Sequence, residues 1–571
     1  MKSIHQSYRH RCLAIMLVAI ACLSLVQYRS ASAAIAIDLY VDTPNDSQTN
    51  NTGCLSAADT NTCSLRGAIQ YIRDTGGTSP YLVHVPSDTY NLTIPGTDDT
   101  NALGDLDISG PNITIAGAGM TTTIINGSGN FDRIIDFLGE ANLVLMDLTV
   151  QHGNLSAGLG GGGGIRALST GQLTLHNVRV TGNIAMGIGA GDAGGGVYVD
   201  DADLVVNNSS EINGNTACHG GGVAFANGSV GHTADFTSSV VNSNTASCGN
   251  GGGIYVTGPL VIDLSLVDLG FNLAKSGGAY YDSADTTLTM QNVDVFDNDI
   301  SAGGTGSSGL EVFGTATLNG VAVYQNQAFS GSGAISLNSG SVFTMADSSM
   351  TYNGGDTGGA LKLVGNTSAL LQRVEITHNF SHNGGGIWVG TGGNIDLENV
   401  TLAANEAETY GGGLYLIGNS SADLNHVTIA RNLGDLGGDA VYIANNGHWS
   451  SSNSLFYYSV PGDNCVYAAL YVFASYGHNI SNDASCLLLA GSDQQSIDPM
   501  IGFLSESVED MGTIPLLFGS PAIDGALVGD PVSLDQRGKT RVDGNLDGVI
   551  TSDIGAYEYY PKIFLPLIRK P

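Results

Sequence analysis

The stretch Leu173-Thr174-Leu175-His176-Asn177-Val178-Arg179-Val180 decides the fold. Its apolar residues stand at positions 173 and 175, and then at 178 and 180. Side chains of a strand alternate between two faces, so this slip of phase means that the chain turns at Asn177 while both strands keep their apolar side chains on one side. Asparagine tolerates the left-handed conformation that such a corner needs. The same pattern recurs at Asn292 and Asn399.

A repeat containing this corner runs through most of the chain. Ten asparagines recur 26 to 32 residues apart, and the residue three positions before each of them is apolar. They are Asn183, Asn215, Asn244, Asn272, Asn298, Asn326, Asn353, Asn379, Asn405 and Asn432. Most are followed by a glycine cluster and an apolar-x-apolar strand, as in Gly194-Gly195-Gly196 before Val197 and Val199. Such internal repetition predicts a stack of similar units.

The repeat predicts an all-β fold, a right-handed single-stranded parallel β-helix with three short strands in each coil of about 26–29 residues. The repeats show no helical period of 3.6, and each unit is too short for the four strands of a propeller blade. Adjacent coils should lie about 4.8 Å apart. Val, Ile and Leu should stack inside, and the asparagines should form a hydrogen-bonded ladder along one column.

The first 33 residues have the features of a secretory signal peptide. A basic start at Lys2, Arg9 and Arg11 precedes an apolar run over residues 12–26, and Ala31-Ser32-Ala33 supplies the small residues of a cleavage site. No other segment is long and apolar enough to cross a membrane. We expect a secreted or bacterial cell-surface protein without a transmembrane helix after signal cleavage.

The mature chain is expected to consist of four segments. They are an N-terminal cap with the first strands at 34–112, β-helix coils at 113–455, a C-terminal cap or small anchor-like domain at 456–560, and an apolar-basic tail at 561–571. Within the first segment, apolar residues at 65, 68, 69 and 72 predict a short amphipathic helix that covers the end of the core. Strands are expected around 81–85, 113–116 and 143–150.

The chain is strongly acidic, with a formal net charge of −33. The signal segment carries Lys2, Arg9, Arg11 and Arg29 and no acid, so its removal takes four positive charges from −33 and leaves −37. Such a surface repels nucleic acid and anionic lipid, which excludes nucleic acid as a partner. It suits divalent cations or basic partners.

The six cysteines that follow the signal segment stand in close pairs. The pairs are Cys54–Cys63, Cys218–Cys248 and Cys465–Cys486, and an even count in an exported chain predicts disulfides. Cys218 and Cys248 are 30 residues apart, close to one repeat, and follow Asn215 and Asn244. They should therefore bridge adjacent coils, because the spacing between coils falls within the Cα range of a disulfide.

Four short motifs resemble a group of bacterial surface proteins. Cys63-Ser64-Leu65-Arg66-Gly67-Ala68-Ile69 resembles the Cys-Ser-Leu-Arg-Glu-Ala-Ile element near the start of many right-handed β-helix surface proteins, with Gly67 in place of the Glu. Residues 520–524, 535–538 and 553–558 resemble the C-terminal region called choice-of-anchor Q. The coils are similar to those of polymorphic outer membrane proteins and of the pectin-lyase-like superfamily. The resemblance implies export and surface display, and assigns no activity.

An enzyme acting on polysaccharides is the alternative, because pectin-lyase-like folds host lyases and glycosidases. A lyase needs a base and a cationic group, and a glycosidase needs paired carboxylates. The basic residues between 113 and 460 are spread over many coils, and no repeat position is expected to collect paired acids beside an arginine. They are Arg133, Arg166, Arg179, Lys275, Lys362, Arg373 and Arg431. The sequence therefore assigns no catalytic or cofactor-binding residue.

One segment has the spacing of a calcium loop. Asp543, Asn545 and Asp547 stand at alternate positions before Gly548, as in the first half of an EF-hand loop, and Asp553 is the last acid. Oxygen ligands at alternate positions can converge on one hard cation, so Ca²⁺ is the candidate ligand. The alternative is an Asp/Gly-rich turn. The sequence as a whole favours an adhesin, binding protein or display scaffold with a cell-surface or carbohydrate ligand.

Overall fold

The structure, a computed structural model, describes residues 36–49, 51–57, 62–128, 132–187, 192–226, 231–458, 462–468, 472–505 and 512–561. The signal segment 1–33 and all of the tail except Pro561 lie outside these residues. Successive coils stack in parallel register, which confirms the right-handed parallel β-helix.

Each coil contributes strands to three sides of the helix. Within the described residues, the largest sheet has 26 strands. They are Ile37–Tyr40, Tyr81–Val85, Asp88–Asn91, Ile113–Gly117, Thr123–Asn126, Leu143–Gln151, Gln172–Thr181, Asp203–Asn207, Glu211–Asn213, Thr233–Asn242, Val261–Gly270, Thr287–Gln291, Asp294–Phe296, Thr315–Asn319, Ala322–Tyr324, Val342–Thr351, Ser368–Thr377, Asn394–Glu398, Thr401–Ala403, Ser421–Asn425, Thr428–Ala430, His448–Ser452, Leu455–Tyr457, Val472–Gly477, Ile480–Ser481 and Gln494–Gln495. It folds around the corner predicted at Asn177, so it covers two sides.

The third side carries a sheet of 14 strands in the described part of the chain. They are Leu106–Ile108, Ile135–Gly139, Ile165–Ser169, Val197–Asp200, Val223–Phe225, Ile254–Val256, Tyr280–Tyr281, Leu310–Val312, Ile335–Leu337, Leu361–Leu363, Ile387–Val389, Leu414–Ile417, Val441–Ala444 and Cys465–Tyr467. Short strands at the register that follows the ladder position form two further small sheets. They are Asn154–Leu155, Ile184–Ala185, Thr216–Ala217, Thr245–Ala246, Leu273–Ala274 and Asp299–Ile300, then Gly354–Thr357, Phe380–Asn383, Glu406–Ala407 and Leu433–Gly434.

The corner at Asn177 has the predicted left-handed conformation, with φ of 53°. Asn292 and Asn399 have φ of 52° and 55° at the equivalent position. The four apolar residues around the corner, Leu173, Leu175, Val178 and Val180, are all fully buried. The slip of phase in the sequence therefore marks the place where the chain turns around one continuous core.

The ten asparagines form one ladder inside the helix. Each side-chain amide from Asn183 to Asn405 donates to the Oδ1 atom of the next asparagine along the stack, at 2.9–3.1 Å. The same amide also donates to a carbonyl of the preceding coil, as from Asn298 to Leu269 at 2.9 Å. Every one of the ten is at most 4% exposed. The ladder therefore gives hydrogen-bond partners to the polar groups that are buried at this second turn of each coil.

Three disulfides and one helix secure the stack. All three predicted cysteine pairs are bonded, and the Cα atoms of Cys218 and Cys248 are 4.8 Å apart on adjacent coils. Helix α1, Leu65–Thr75, begins after Ser64, whose Oγ accepts the Gly67 N–H at 3.0 Å. Its buried apolar residues, Leu65, Ala68, Ile69 and Ile72, are those that its spacing singled out. None of the helices in the described residues reaches the length and apolarity of a membrane span.

The coils continue past residue 455, where the asparagine rhythm fades. Cys465–Tyr467 pairs with Val441–Ala444, and Gln494–Gln495 is the last strand to join the large sheet. The following segment folds back along the side of the coils, where Ile514, Ala522 and Ile554 pack against Ala403, Ala430 and Leu455. Arg541 donates to the Asn399 side chain at 2.7 Å. This segment braces the flank of the helix.

Candidate functional site

A column of left-handed residues runs along the outside of the helix. It consists of the residue before each ladder asparagine, and φ at these ten positions lies between 50° and 64°. We call it the corner column, and its members are Gly182, Gly214, Ser243, Phe271, Asp297, Gln325, Tyr352, His378, Ala404 and Arg431. The backbone is thus the same in every coil while the side chain changes.

Two members of the corner column are large aromatic residues that the fold does not need. Glycine adopts a left-handed φ without steric cost, as Gly182 and Gly214 do here. A residue with a Cβ pays about 1 kcal/mol or more for the same conformation. Phe271 and Tyr352 are nevertheless 55% and 51% exposed, so burial and their ring contacts offset that cost only in part. Large exposed rings at such positions make this column the candidate surface.

Neighbouring rings extend these two residues into a surface that we call the aromatic corner: Phe271, Phe296, Tyr324, Tyr352 and His378. Phe271 and Phe296 meet edge to face with ring centroids 5.4 Å apart, and Phe296 stacks on Tyr324 at 5.4 Å. Tyr352 stacks on His378 at 4.7 Å. The rings come from successive coils, so the surface follows the helix axis.

A groove of about 540 Å³ lies at one end of the aromatic corner, where Tyr352 and His378 form part of its wall. Its polar lining consists of Asp347, Ser348, Ser349, Thr351, Glu375 and Thr377. Leu504 and Gly512, from the segment that folds back along the coils, also line it. Exposed rings beside hydroxyl and carboxylate groups are the components with which proteins hold sugars, because each sugar has an apolar face and a rim of hydroxyls.

Hydrogen bonds fix the groove's charged groups. The Thr377 hydroxyl donates to the Glu375 carboxylate at 2.7 Å. Arg373 donates to both Asp347 oxygens, at 2.6 and 2.7 Å. Gly512 has a left-handed φ of 53° and lies against the Glu375 carboxyl group. The groove thus brings Glu375 together with the segment that folds back along the coils.

A second cluster corrects the expectation that no repeat position gathers acids beside an arginine. Asp107, Asp136 and Arg166 stand at one register position of three adjacent strands in the 14-stranded sheet. Arg166 binds both oxygens of Asp136, one of them at 2.8 Å. Arg133 reaches Asp105 at 3.2 Å and Asp136 at 3.4 Å. We call these five residues the acid–arginine cluster.

Burial perturbs the carboxyls of this cluster. It raises the pKa of Asp105 to about 9, with the nearby Asp132 and Asp107 charges adding to the effect. Burial likewise raises the pKa of Asp107 to about 7. Both side chains are at most 1% exposed, so a polymer on the surface does not reach them. Arg73 of helix α1 donates to the Asp107 carbonyl at 3.1 Å, so the cluster joins the cap to the first coils.

The four residues predicted to bind calcium are only partly brought together. Asp543 and Asn545 accept N–H groups of their own loop, from Gly548 at 2.8 Å and Asp547 at 2.9 Å respectively. Asp553 is buried and accepts the N–H of Asp524 at 2.7 Å, while the Asp524 carboxylate accepts the N–H groups of Gly544 and Asn545 in that turn. Burial, with Glu558 nearby, raises the pKa of Asp553 to about 8. These bonds describe an Asx-rich turn, and calcium binding there stays a prediction.

Sequence reasoning missed both the aromatic corner and the acid–arginine cluster. A signal for the first was available, since reading the residue before each ladder asparagine gives Phe271, Tyr352 and His378 directly. The acid–arginine cluster could be found only from the strand register, because Asp107 precedes the repeats. His378 and His382, which are four residues apart, go to different places: His378 stacks on Tyr352, and His382 contacts Glu408 at 3.1 Å.

Comparison with known proteins yields neither a matching family model nor a matching curated protein. Among solved structures, the A-module of the Azotobacter vinelandii mannuronan C-5 epimerase AlgE6 is similar at 14% identity and a TM-score of 0.33, covering 73% of this chain and 94% of that one. Pectate lyase Pel9A has 12% identity and a TM-score of 0.23, and the match covers 93% of this chain and 98% of that one. The A-module of the Azotobacter vinelandii mannuronan C-5 epimerase AlgE4 has 11% identity and a TM-score of 0.27, and the match covers 73% of this chain and 95% of that one. Similarity this low says nothing about activity.

Proposed function

We propose that the chain is an exported β-helix scaffold that binds an extended carbohydrate along the aromatic corner and its groove. The observation that carries this proposal is the exposure of Phe271 and Tyr352 at left-handed positions where glycine would fit. A sugar unit in an extended chain advances by a length similar to the spacing between coils. Because Phe296 stacks on Tyr324 and Tyr352 stacks on His378, the rings would meet successive sugars with their exposed edges rather than with their paired faces. The stacked coils supply the rigidity.

Export and surface display belong to the same proposal. They rest on the signal-peptide features of residues 1–33 and on the resemblance of residues 63–69 and 520–558 to bacterial surface proteins. An adhesive or envelope role follows if the glycan belongs to another cell or to the bacterium's own surface.

Polysaccharide cleavage is the second candidate. The observation in its favour is that one groove holds Glu375, His378 and Tyr352, a carboxylate, an imidazole and a phenol. These groups can transfer protons if a substrate lies between them.

Retention of the purified mature chain on a panel of immobilised polysaccharides tests both candidates. We expect retention without release of unsaturated products or reducing ends. Tyr352→Asn should weaken retention about tenfold, as for loss of one aromatic anchor. Ser243→Asn, at a non-aromatic position of the same column, should leave it unchanged. Product release that Glu375→Gln abolishes would support the enzyme, and equal retention of the wild type and Tyr352→Asn would contradict this site.

A further inference from the structure

The aromatic corner is bordered by carboxylates. Asp268 and Asp294 stand at one register position of adjacent strands, and both are exposed. Asp297 is the member of the corner column next to Phe271. Burial, followed by the charges of Asp294, Asp268 and Asp297, raises the pKa of Tyr324. The negative field of these acids therefore reaches the rings.

Acids also line the groove, and the cations beside it are already engaged. Asp347 and Glu375 form part of its wall. Arg373 is held by both oxygens of Asp347. At the far end of the corner column, Arg431 packs over the Phe503 ring at 5.6 Å and donates to the Gly502 carbonyl at 2.6 Å. The chain as a whole has a formal charge of −33.

Resting on the proposed function, we infer that the aromatic corner takes neutral polysaccharides and rejects polyuronates. A polyuronate places one carboxylate on each sugar, and it would set a row of negative charges against the acids of the corner and groove, of which Asp347 is neutralised by Arg373. Like charges at close range oppose binding, and the effect accumulates along the polymer. A neutral glycan has no such penalty, and it keeps the ring contacts and the hydrogen bonds to hydroxyl and carboxylate groups.

Affinity electrophoresis of the full mature chain tests this inference with four soluble polymers: mixed-linkage β-glucan, galactomannan, alginate and polygalacturonate. Each gel is run with EDTA and with Ca²⁺, at low and high salt. We expect retardation by at least one neutral polymer, unchanged by salt, and binding of the uronates at least about tenfold weaker. The double variant Asp268→Asn/Asp294→Asn should gain measurable uronate binding at low salt, which narrows the difference between uronate and neutral binding.

The outcomes separate this inference from the proposed function. Uronate binding equal to or stronger than neutral binding, with or without Ca²⁺, would overturn the inference and leave glycan binding intact. Absence of binding to every polymer would contradict both this inference and the proposed glycan binding. Neutral binding that Tyr352→Asn does not weaken would overturn the assignment to the aromatic corner.

Discussion

Two halves of the corner column have the same backbone and different side chains. In the first coils, Gly182 and Gly214 occupy the left-handed position, and further along, Phe271 and Tyr352 occupy it with more than half of each side chain exposed. The ladder asparagine that follows each of them does not vary. The fold therefore requires the asparagine and the left-handed turn and accepts different side chains at the corner column, and on the proposed function the aromatic ones bind the glycan.

The largest expected effect on stability comes from replacing a ladder asparagine, which is the same residue type in all ten coils. Asn298→Ala removes the bonds to the Leu269 carbonyl and to Asn326, and it leaves the N–H of Asn272 without its acceptor. We expect the free energy of unfolding to fall by about 3 kcal/mol, since several buried polar groups lose partners. Urea denaturation measures it. A loss as small as that of an exposed substitution such as Ser243→Ala would contradict the structural role of the ladder.

The acid–arginine cluster predicts a dependence of stability on pH. Asp105 and Asp107, with pKa values of about 9 and about 7, hold protons in the folded state that the unfolded chain releases near pH 4. The folded state is thus favoured at acid pH, and these groups make the free energy of unfolding fall as pH rises from about 4 to about 9.

Asp107→Asn should flatten that dependence, because a neutral side chain then stands at the buried position. The measurement is urea denaturation at about pH 5 and about pH 8 for each variant. Asp99→Asn is the matched control, because the Asp99 side chain is 75% exposed. An identical slope in Asp107→Asn and the wild type would show that Asp107 is ionised throughout.

The sequence predicted the fold well and the site poorly, for one physical reason. Coil period, corner and core depend on contacts that recur in every repeat, so Leu173-Thr174-Leu175 and its equivalents carry the same information many times. The aromatic corner mixes two offsets, one residue before the ladder asparagine for Tyr352 and two for Tyr324. Their proximity appears only when coils are stacked. The flank position of residues around Arg541 depends on contacts more than 100 residues away, which no local pattern encodes.

Placing an aromatic residue at a glycine position of the corner column should have a smaller effect on stability. Gly214→Tyr places the aromatic residue of the later coils on an early one, where a Cβ meets nothing closer than 3.8 Å. We expect a destabilisation of about 1 kcal/mol from the left-handed backbone alone. Thermal and urea denaturation measure it. No change in stability would mean that the corner accepts large residues freely, and the argument from strain would then fail.

The double variant Phe271→Asn/Tyr352→Asn tests the central claim most directly, when its free energy of unfolding and its retention by a neutral glycan are measured together. Asparagine tolerates the left-handed conformation better than an aromatic residue. The account predicts that stability is unchanged or rises by roughly 0.5–1 kcal/mol while glycan retention is lost. A marked loss of stability with retention unchanged would show that the two rings serve the fold, and it would contradict the account.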